Sequence, residues 1–349
     1  MAEPSAKGRR LTGLLRAALL AASLAFIPAT TVLAQGLRDI PVTTRAITHF
    51  KVGATQSRFG PLEFVGGLEL TSSSRDLGAM SSLRLSPDRQ SFLGVMDTGH
   101  WFAGRIARDG RGGPAGISSF QIAPMLDRQG RESFKKWLFD AEGMTIRGDE
   151  ILVSFEREHR VDIYPAKDPA TSRPIGSIPI LIPKRELRGN RGLETIAISP
   201  PETGLGGAPV VVAERSLNAD GNVFAAILEG PEKGVFHVKR HPPYDITDGD
   251  FLPDGDLLLL ERRFSIAEGI GMRIRRIKGA DIRPGTVVDG EVLLDTDFGY
   301  QIDNMEGLDV SVDDKGEVFI TLVSDDNHSI LQRNLILEFR LVAESGVPQ

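Results

Sequence analysis

Residues 248–263 read Asp-Gly-Asp-Phe-Leu-Pro-Asp-Gly-Asp-Leu-Leu-Leu-Leu-Glu-Arg-Arg, and this stretch contains the strongest indication of the fold. It opens with alternating polar and apolar residues, the pattern of a strand with one buried face. Pro-Asp-Gly at residues 253–255 then predicts a tight turn. The apolar run at residues 257–260 fits a second, more deeply buried strand, which ends in charge. The stretch therefore predicts two antiparallel strands with charged residues at one end.

The same order of strand, turn and charged strand end occurs elsewhere in the chain. The copies lie 52 to 61 residues apart, close to the length of a four-stranded propeller blade. Their opening residues are Glu142, Glu194, Asp248 and Glu306, with a weaker copy at Ser81. An internal repeat of this length indicates a ring of similar sheets rather than a layered α/β domain.

We therefore predict an all-β fold, a single β-propeller of six four-stranded blades that spans residues 35–349. The blade number follows from dividing this length by roughly 55 residues per blade. Five copies are visible, so we expect the sixth blade to combine residues 50–70 with the last strand, residues 334–341. Pairing of N-terminal and C-terminal strands would close the ring and remove its open sheet edges.

The first 34 residues have the layout of a cleaved secretory signal peptide. Lys7, Arg9, Arg10 and Arg16 precede an apolar run at residues 17–27, and small residues lead to a cleavage site near Ala34. The run is short for a membrane span, although an uncleaved anchor is the alternative. We expect a periplasmic or secreted protein with no membrane attachment after cleavage.

Composition narrows the classes of partner. The chain has a net charge of −6 and contains no cysteine. An acidic protein is a poor partner for nucleic acid, and the missing thiols exclude thiolate chemistry and thiolate metal sites. A metal ion would have to be held by oxygen or imidazole ligands. We expect a monomer that acts on a small molecule.

The repeats predict a polar site, because equivalent residues of successive blades face one another across a propeller channel. One set of acids opens the first strand of each repeat: Glu142, Glu194, Asp248 and Glu306. A second set closes the next strand: Asp97, Glu156, Glu214, Glu261 and Asp325. So many neighbouring carboxylates cannot all remain ionised without positive charge among them.

Two sources of positive charge are available. Neighbouring arginines could bind substrate or pair with the acids: Arg157, Arg215, Arg262 and Arg263. Ca²⁺, which takes six to eight oxygen ligands, is the other. Its candidate ligands are Glu142, Asp303, Asn304, Glu306, Asp325 and Asn327. Alternatively, the Glu-Arg pairs are salt bridges between blades that only fix the ring.

Histidines follow three of the second-strand acids and could add an acid or base at the same site. They are His100, His159 and His328. His100, beside Trp101, is the one that we include among the substrate-binding candidates, although histidines in surface loops are common.

The repeat motifs resemble the bacterial family described as esterase-like activity of phytase. The resemblance rests on residues 140–144, 190–194, 248–263 and 303–308 and extends from about residue 67 to residue 341. It implies an exported propeller whose acids serve phosphoester hydrolysis, and it marks Glu142, Glu194, Asp248, Glu261, Arg262 and Glu306 as site residues. The first blade departs from the pattern, since Ser81 and Asp97-Thr98 replace the acid and the acid-Arg pair.

The hypothesis that follows is a metal-dependent phosphoesterase with Ca²⁺ as cofactor and Glu194 or Glu306 as the base that activates water. Glu142, Asp248 and Glu261 complete the catalytic candidates. Two alternatives remain open. One is a Ca²⁺-dependent lactonase-type ester hydrolase, and the other is a periplasmic binding propeller without catalysis.

Overall fold

The computed structural model describes residues 36–132, 136–265 and 269–342. The predicted signal peptide and its cleavage site lie outside these residues. Within them the chain is almost entirely β-structure, interrupted by four 3₁₀ turns: Lys136–Leu138, Pro169–Thr171, Lys184–Glu186 and Gly279–Asp281. In the described part of the chain, none of the helices has the length and apolar character needed to cross a membrane.

The strands of the described residues form five sheets, whose innermost strands follow one another along the chain. Blade one contains β5 (Met80–Leu85), β6 (Ser91–Met96), β7 (His100–Arg108) and β8 (Pro114–Pro124), with β1 (Arg38–Asp39) at its outer edge. Blade two contains β9 (Ala141–Arg147), β10 (Glu150–Phe155), β11 (Arg160–Pro165) and β12 (Gly176–Ile178). Blade three contains β13 (Leu193–Ile198), β14 (Pro209–Leu217), β15 (Val223–Ile227), β16 (Gly234–Val238) and β20 (Val287–Val288).

Blades four and five complete the ring. Blade four contains β17 (Asp245–Phe251), β18 (Leu257–Ser265), β19 (Gly269–Ile277) and β21 (Gly290–Asp297). Blade five contains β22 (Met305–Val312), β23 (Val318–Ser324), β24 (Asn334–Leu341), β4 (Leu62–Thr71) and β2 (Thr43–Ile47), with β3 (Arg58–Phe59) also paired to β4. The N-terminal strand β4 thus pairs with the C-terminal strand β24 in antiparallel register.

The prediction of a propeller is confirmed, but the prediction of six blades is wrong. The strands assigned to a sixth blade, β4 and β24, instead supply the outer half of blade five beside β22 and β23. The extra N-terminal residues add outer strands to existing sheets, where β1 pairs with β8 and β2 pairs with β4. Dividing the chain length by an average blade length therefore counts these added strands as a further blade.

The innermost strands β5, β9, β13, β17 and β22 line the centre, each in contact with its neighbours on both sides. Glycines permit their close approach. A Cβ atom at Gly143 in β9 would lie 2.3 Å from the carbonyl oxygen of Glu194 in β13. A Cβ atom at Gly307 in β22 would lie 3.1 Å from the carbonyl oxygen of Ser81. In each Glu-Gly pair of the repeats, the glutamate thus carries the charge and the glycine allows the neighbouring blade to approach closely.

The hydrophobic core lies between neighbouring blades rather than in one central mass. Leu152, Val211 and Leu259, from blades two, three and four, belong to one apolar cluster. Other clusters join blade four to blade five, blade five to blade one, and blade one to blade two. This continuous apolar packing fixes the positions of the inner strands and of the polar groups at their ends.

Candidate functional site

A β-bulge occurs near the start of every inner strand, at the same place in each blade. The pairing register shifts by one residue there, so that one inner-strand residue has no partner on the second strand. The extra residues are Ser81, Glu194, Thr247 and Glu306, and in blade two the extra residue lies within Glu142-Gly143. The bulges thereby place the glutamates of blades two, three and five at equivalent positions around one end of the channel.

A second ring of side chains lies beside the first. In four blades, the residue that follows the paired part of the second strand is an acid: Asp97, Glu156, Glu214 and Asp325. Their backbone amides donate to carbonyl oxygens just before each bulge, at Ala79, Asp140, Gly192 and Asn304 respectively. In blade four the equivalent residue is Arg262, which follows Glu261 in the register. We call these two rings the channel mouth.

The acids of the mouth repel one another. Burial raises the pKa of Glu194 well above its usual value, and the carboxylates of Glu142 and Glu156 raise it further. Burial likewise raises the pKa of Glu142, with Glu156 and Asp140 adding to the effect. Burial raises the pKa of Glu156 to about 7. The mouth is therefore a place where positive charge would be strongly favoured.

Arg262 supplies part of that charge. Its Nε lies 3.1 Å from Oε1 of Glu306, and one of its terminal nitrogens lies 3.6 Å from Oε1 of Glu214. Burial alone would lower the pKa of Arg262, but the two carboxylates outweigh burial and raise it. Burial raises the pKa of Glu306 to about 7, against the opposing charge of Arg262. Glu306 is thus a largely buried carboxyl, with 15% of its side chain exposed and a pKa of about 7.

Asp140, Glu142 and Glu156 form the group best placed to hold a metal ion. One carboxylate oxygen from each lies within 4.8 Å of the others. The loop before β13 supports this group, since the backbone amides of Arg191 and Gly192 both donate to Oε1 of Glu156. Nε of Arg157 donates to Asp140, which satisfies one oxygen of the trio. Oxygen ligands of this kind suit a hard divalent cation.

Asp248 lies deeper in the channel than the other predicted acids. The bulge in blade four is at Thr247, so Asp248 occupies the position of Ser82 and Gly307 in other blades. Its Oδ2 accepts hydrogen bonds from Ser82 Oγ and the Leu308 amide, both at 3.0 Å, and lies 3.5 Å from Arg84. Burial raises the pKa of Asp248 to about 7, although Arg84 acts against it.

Arg84 spans the channel at this level. Its guanidinium donates to the carbonyl oxygens of Leu308 at 2.7 Å, Ile196 at 3.4 Å and Gly249 at 3.4 Å, which belong to three other inner strands. It also lies 3.9 Å from Asp250 and interacts with Asp309. Arg84 is buried, so this group is a structural crosslink beneath the mouth.

Glu261 also lies apart from the mouth. It pairs with Arg275 and lies 3.9 Å from Arg273, within blade four. Arg275 in turn contacts Asp289 at 3.0 Å. Burial raises the pKa of Glu261 against the attraction of Arg275. The side chain faces away because it precedes Arg262 by one residue, and alternate residues of a strand point to opposite sides.

Three other predicted substrate-binding residues have partners outside the acidic group. Arg215 lies 3.4 Å from Asp245, which also binds Arg191 and Arg240. Nε of Arg263 donates to the hydroxyl of Tyr244 at 3.1 Å. His100 lies 3.1 Å from the Thr98 carbonyl oxygen, and burial lowers its pKa.

The predicted calcium ligands of blade five are divided between two environments. Asn304 lies at the mouth, where Nδ2 donates to Oε1 of Glu306 at 2.8 Å. Burial raises the pKa of Asp325, also at the mouth, to about 6. Asp303 instead accepts hydrogen bonds from Arg333, and Asn327 is exposed in the loop after β23.

Sequence reasoning omitted two residues that the structure makes prominent, Asp140 and Arg84. Asp140 lies two residues before Glu142, inside the motif that carried the family resemblance, and this proximity was the available signal. Arg84 lies three residues after Ser81, the opening residue of the weakest repeat. Asp250 and Asp309 occupy the equivalent positions in blades four and five. That correspondence becomes visible only when the bulges define the register.

Comparisons with known proteins identify the family of the chain. The chain is similar to the solved structures titled "Structure of U3-55K" (11% identity, TM-score 0.40, 80% of this chain and 98% of that chain) and "Crystal structure of RRP9 WD40 repeats" (10% identity, TM-score 0.42, 82% and 100%). The sequence has no significant match among curated proteins. The family model described as phytase-like, esterase-like activity of phytase, matches residues 75–328. The chain therefore belongs to this phytase-like family, as its repeat motifs predicted.

Proposed function

We propose that the protein is an exported hydrolase that cleaves phosphoesters at the channel mouth with the help of a divalent cation, Ca²⁺ being the first candidate. One observation carries this proposal. Glu306, a largely buried carboxyl with a pKa of about 7, lies beside Arg262 in the same mouth as the Asp140, Glu142 and Glu156 trio. A base, a cation site and an arginine are groups that can together catalyse phosphoester hydrolysis.

The trio fits a cation by its donor atoms and its electrostatics. Asp140, Glu142 and Glu156 offer only oxygen, and the pKa of Glu142 is raised by burial and by its two neighbours. A positive ion among them would relieve this repulsion and allow the acids to ionise. When bound there, the cation would neutralise negative charge on phosphate oxygens.

Glu306 and Arg262 would carry out the remaining steps of the reaction. Glu306 would take a proton from a water molecule whose oxygen attacks phosphorus. The bond between phosphorus and the ester oxygen would break on the side opposite the attacking water, the departing alcohol oxygen would take a proton from solvent, and Glu306 would release its proton to solvent afterwards. Arg262, 3.1 Å from Glu306, would keep that carboxyl ionised before attack and offset charge on the phosphoryl group.

A binding propeller without catalysis is the second candidate, and the ion pairs of the mouth favour it. Arg157 binds Asp140, and Arg262 lies between Glu214 and Glu306, so some acids already have a cationic partner. In that case the mouth would hold an ion for stability alone.

The test compares residues 35–349 of the wild type with Glu306→Gln, which keeps the shape of the side chain but removes the base. Substrates are p-nitrophenyl phosphate, bis-p-nitrophenyl phosphate, phytate and a panel of lactones, each with Ca²⁺ and with chelator. We expect calcium-dependent phosphatase activity in the wild type and a loss of at least about a hundredfold in the variant. Glu202→Gln, at an exposed acid, is the matched control.

Turnover of lactones instead of phosphate esters would move the assignment to carboxylic ester hydrolysis. The absence of turnover on every substrate, with intact folding, would leave the binding propeller as the function. Full activity of Glu306→Gln would exclude Glu306 as the base.

A further inference from the structure

A cavity of about 420 Å³ with both polar and apolar lining residues opens beside the channel mouth. Phe264, Ile270 and Leu331 supply its apolar side, and its polar lining consists of Arg262, Arg263, Asn304, Asn327, Ser329 and Gln332. These residues come from β18, from β19, from the approach to β22 and from the loop between β23 and β24. The volume falls within the range of small-molecule sites.

The cavity is connected to Glu306 through its polar side. Asn304 donates to Oε1 of Glu306 at 2.8 Å, and Nε of Arg262 lies 3.1 Å from the same oxygen. Two cavity-lining side chains therefore hold a single carboxylate oxygen of the proposed base. A ligand that fills the cavity would have its polar end next to Glu306.

The apolar side is unusually exposed for side chains of this size. Phe264 is 70% exposed and Leu331 is 88% exposed. Large exposed apolar side chains that line a cavity indicate a surface that is covered when a ligand binds. Covering them with an aromatic ring would remove apolar surface from water, which is worth roughly 25 cal/mol per Å².

We propose that this cavity binds the apolar group of the substrate, so that the preferred substrate is a phosphate monoester of an aromatic alcohol rather than a polyphosphorylated polyol. This inference rests on the proposed function. An aromatic ester presents one phosphoryl group to the mouth and an uncharged ring to Phe264, Ile270 and Leu331.

A binding measurement tests the cavity without any turnover. Phenylphosphonate and methylphosphonate, which lack a hydrolysable ester bond, are titrated into the wild type with Ca²⁺ by calorimetry. We expect phenylphosphonate to bind about tenfold more tightly, because only its ring reaches the apolar side. In the Phe264→Ala, Leu331→Ala double variant this preference should fall to about twofold or less. Both side chains are exposed, so melting temperatures should confirm that the variant folds.

Ile175→Ala is the control, because it removes another exposed aliphatic side chain, 63% exposed, that does not line the cavity. It should retain the preference for phenylphosphonate. Equal binding of the two phosphonates, binding of neither, or an unchanged preference in the double variant would overturn the inference. A preference for phenylphosphonate without turnover of any ester would support the cavity and refute the hydrolase proposal.

Steady-state kinetics test the same preference for an aromatic group during turnover. The ratio of kcat/KM for phenyl phosphate to that for methyl phosphate should be high in the wild type and should fall in the double variant. Phytate hydrolysis faster than phenyl phosphate hydrolysis would support the hydrolase proposal while refuting the aromatic preference.

Discussion

Nε of Arg262 lies 3.1 Å from Oε1 of Glu306, and this contact sets the charge state of the proposed base. Burial raises the pKa of Glu306 to about 7, and Arg262 limits the rise. Removing the guanidinium in Arg262→Gln should therefore raise the pKa of Glu306 further. Because the base must be ionised, activity should rise with pH through about 7 in the wild type and at higher pH in the variant.

The measurement is the pH dependence of kcat/KM between pH 5 and pH 9. Arg215→Gln is the control, since Arg215 pairs with Asp245 rather than with Glu306. An acidic limb that stays in place in Arg262→Gln would contradict the assignment of that limb to Glu306.

Arg84 should be essential for stability, because it is the cation among the buried carboxylates of the channel. Arg84→Met would leave Asp248, Asp250 and Asp309 without it, and removal of one partner from a buried ion pair typically costs about 3–5 kcal/mol. The loss should be larger at pH 8 than at pH 5, since protonated carboxyls need no cation. Chemical denaturation at the two pH values measures it.

Arg84→Lys separates charge from geometry in the same experiment. It keeps the positive charge but cannot reach the carbonyl oxygens of three strands together, so we expect an intermediate loss of stability. Equal stability of Arg84→Met and the wild type would refute the structural role.

Asp309 should make the protein less stable as the pH rises. Burial raises its pKa from 3.8 to about 8, so the folded state holds a proton that the unfolded state has lost above pH 4. Stability from this group is therefore present at low pH and decreases as the pH rises from about 4 to about 8. Asp309→Asn cannot ionise and should melt at a higher temperature than the wild type at pH 9.

The difference between Asp309→Asn and the wild type should shrink towards pH 5, where both side chains are neutral. Thermal unfolding across this pH range is the measurement. A difference that is independent of pH would show that packing, rather than ionisation, distinguishes the two proteins.

Calcium should stabilise the folded protein through the Asp140, Glu142 and Glu156 trio. Ligand binding to the native state raises the melting temperature by mass action. We expect an increase of several degrees with millimolar Ca²⁺ in the chelator-treated wild type and little increase in Glu142→Gln, which loses one of the three carboxylates. Glu202→Gln should respond like the wild type. An equal response of Glu142→Gln would place the ion elsewhere.

The sequence predicted the fold through its repeats, and the limits of that prediction have physical causes. Repeats report strands that recur in every blade, whereas the sixth blade was predicted from residues 50–70 and 334–341, which contain β3, nearly all of β4, and β24 of blade five. The pairing of β4 with β24 in blade five depends on contacts between distant parts of the chain. No local pattern encodes such a contact.

The residue types of the candidate site could be predicted from the sequence, but the strand register that positions them could not be predicted in every blade. Glu142, Glu194 and Glu306 lie at the bulges of the mouth, as the alignment of the repeats placed them together. In blade four the sequence Thr247-Asp248-Gly249 allows two alignments that differ by one residue. The structure adopts the one that places Thr247 and Arg262 at the mouth, and a shift of one residue turns Asp248 into the channel and Glu261 away from it.

The pairing of β4 with β24 also bears on how the chain folds. Leu70 and Asn334, opposite each other in that pair, are separated by most of the length of the chain. Contacts between such distant residues carry a high entropic cost and form late, so this topology favours slow folding. During synthesis blade five cannot be completed until its last strand, β24, has been made. Until then the ring of blades stays open. In the exported protein that we propose, this delay would keep the chain unfolded, and able to pass through a translocation pore, until nearly all of it has been made.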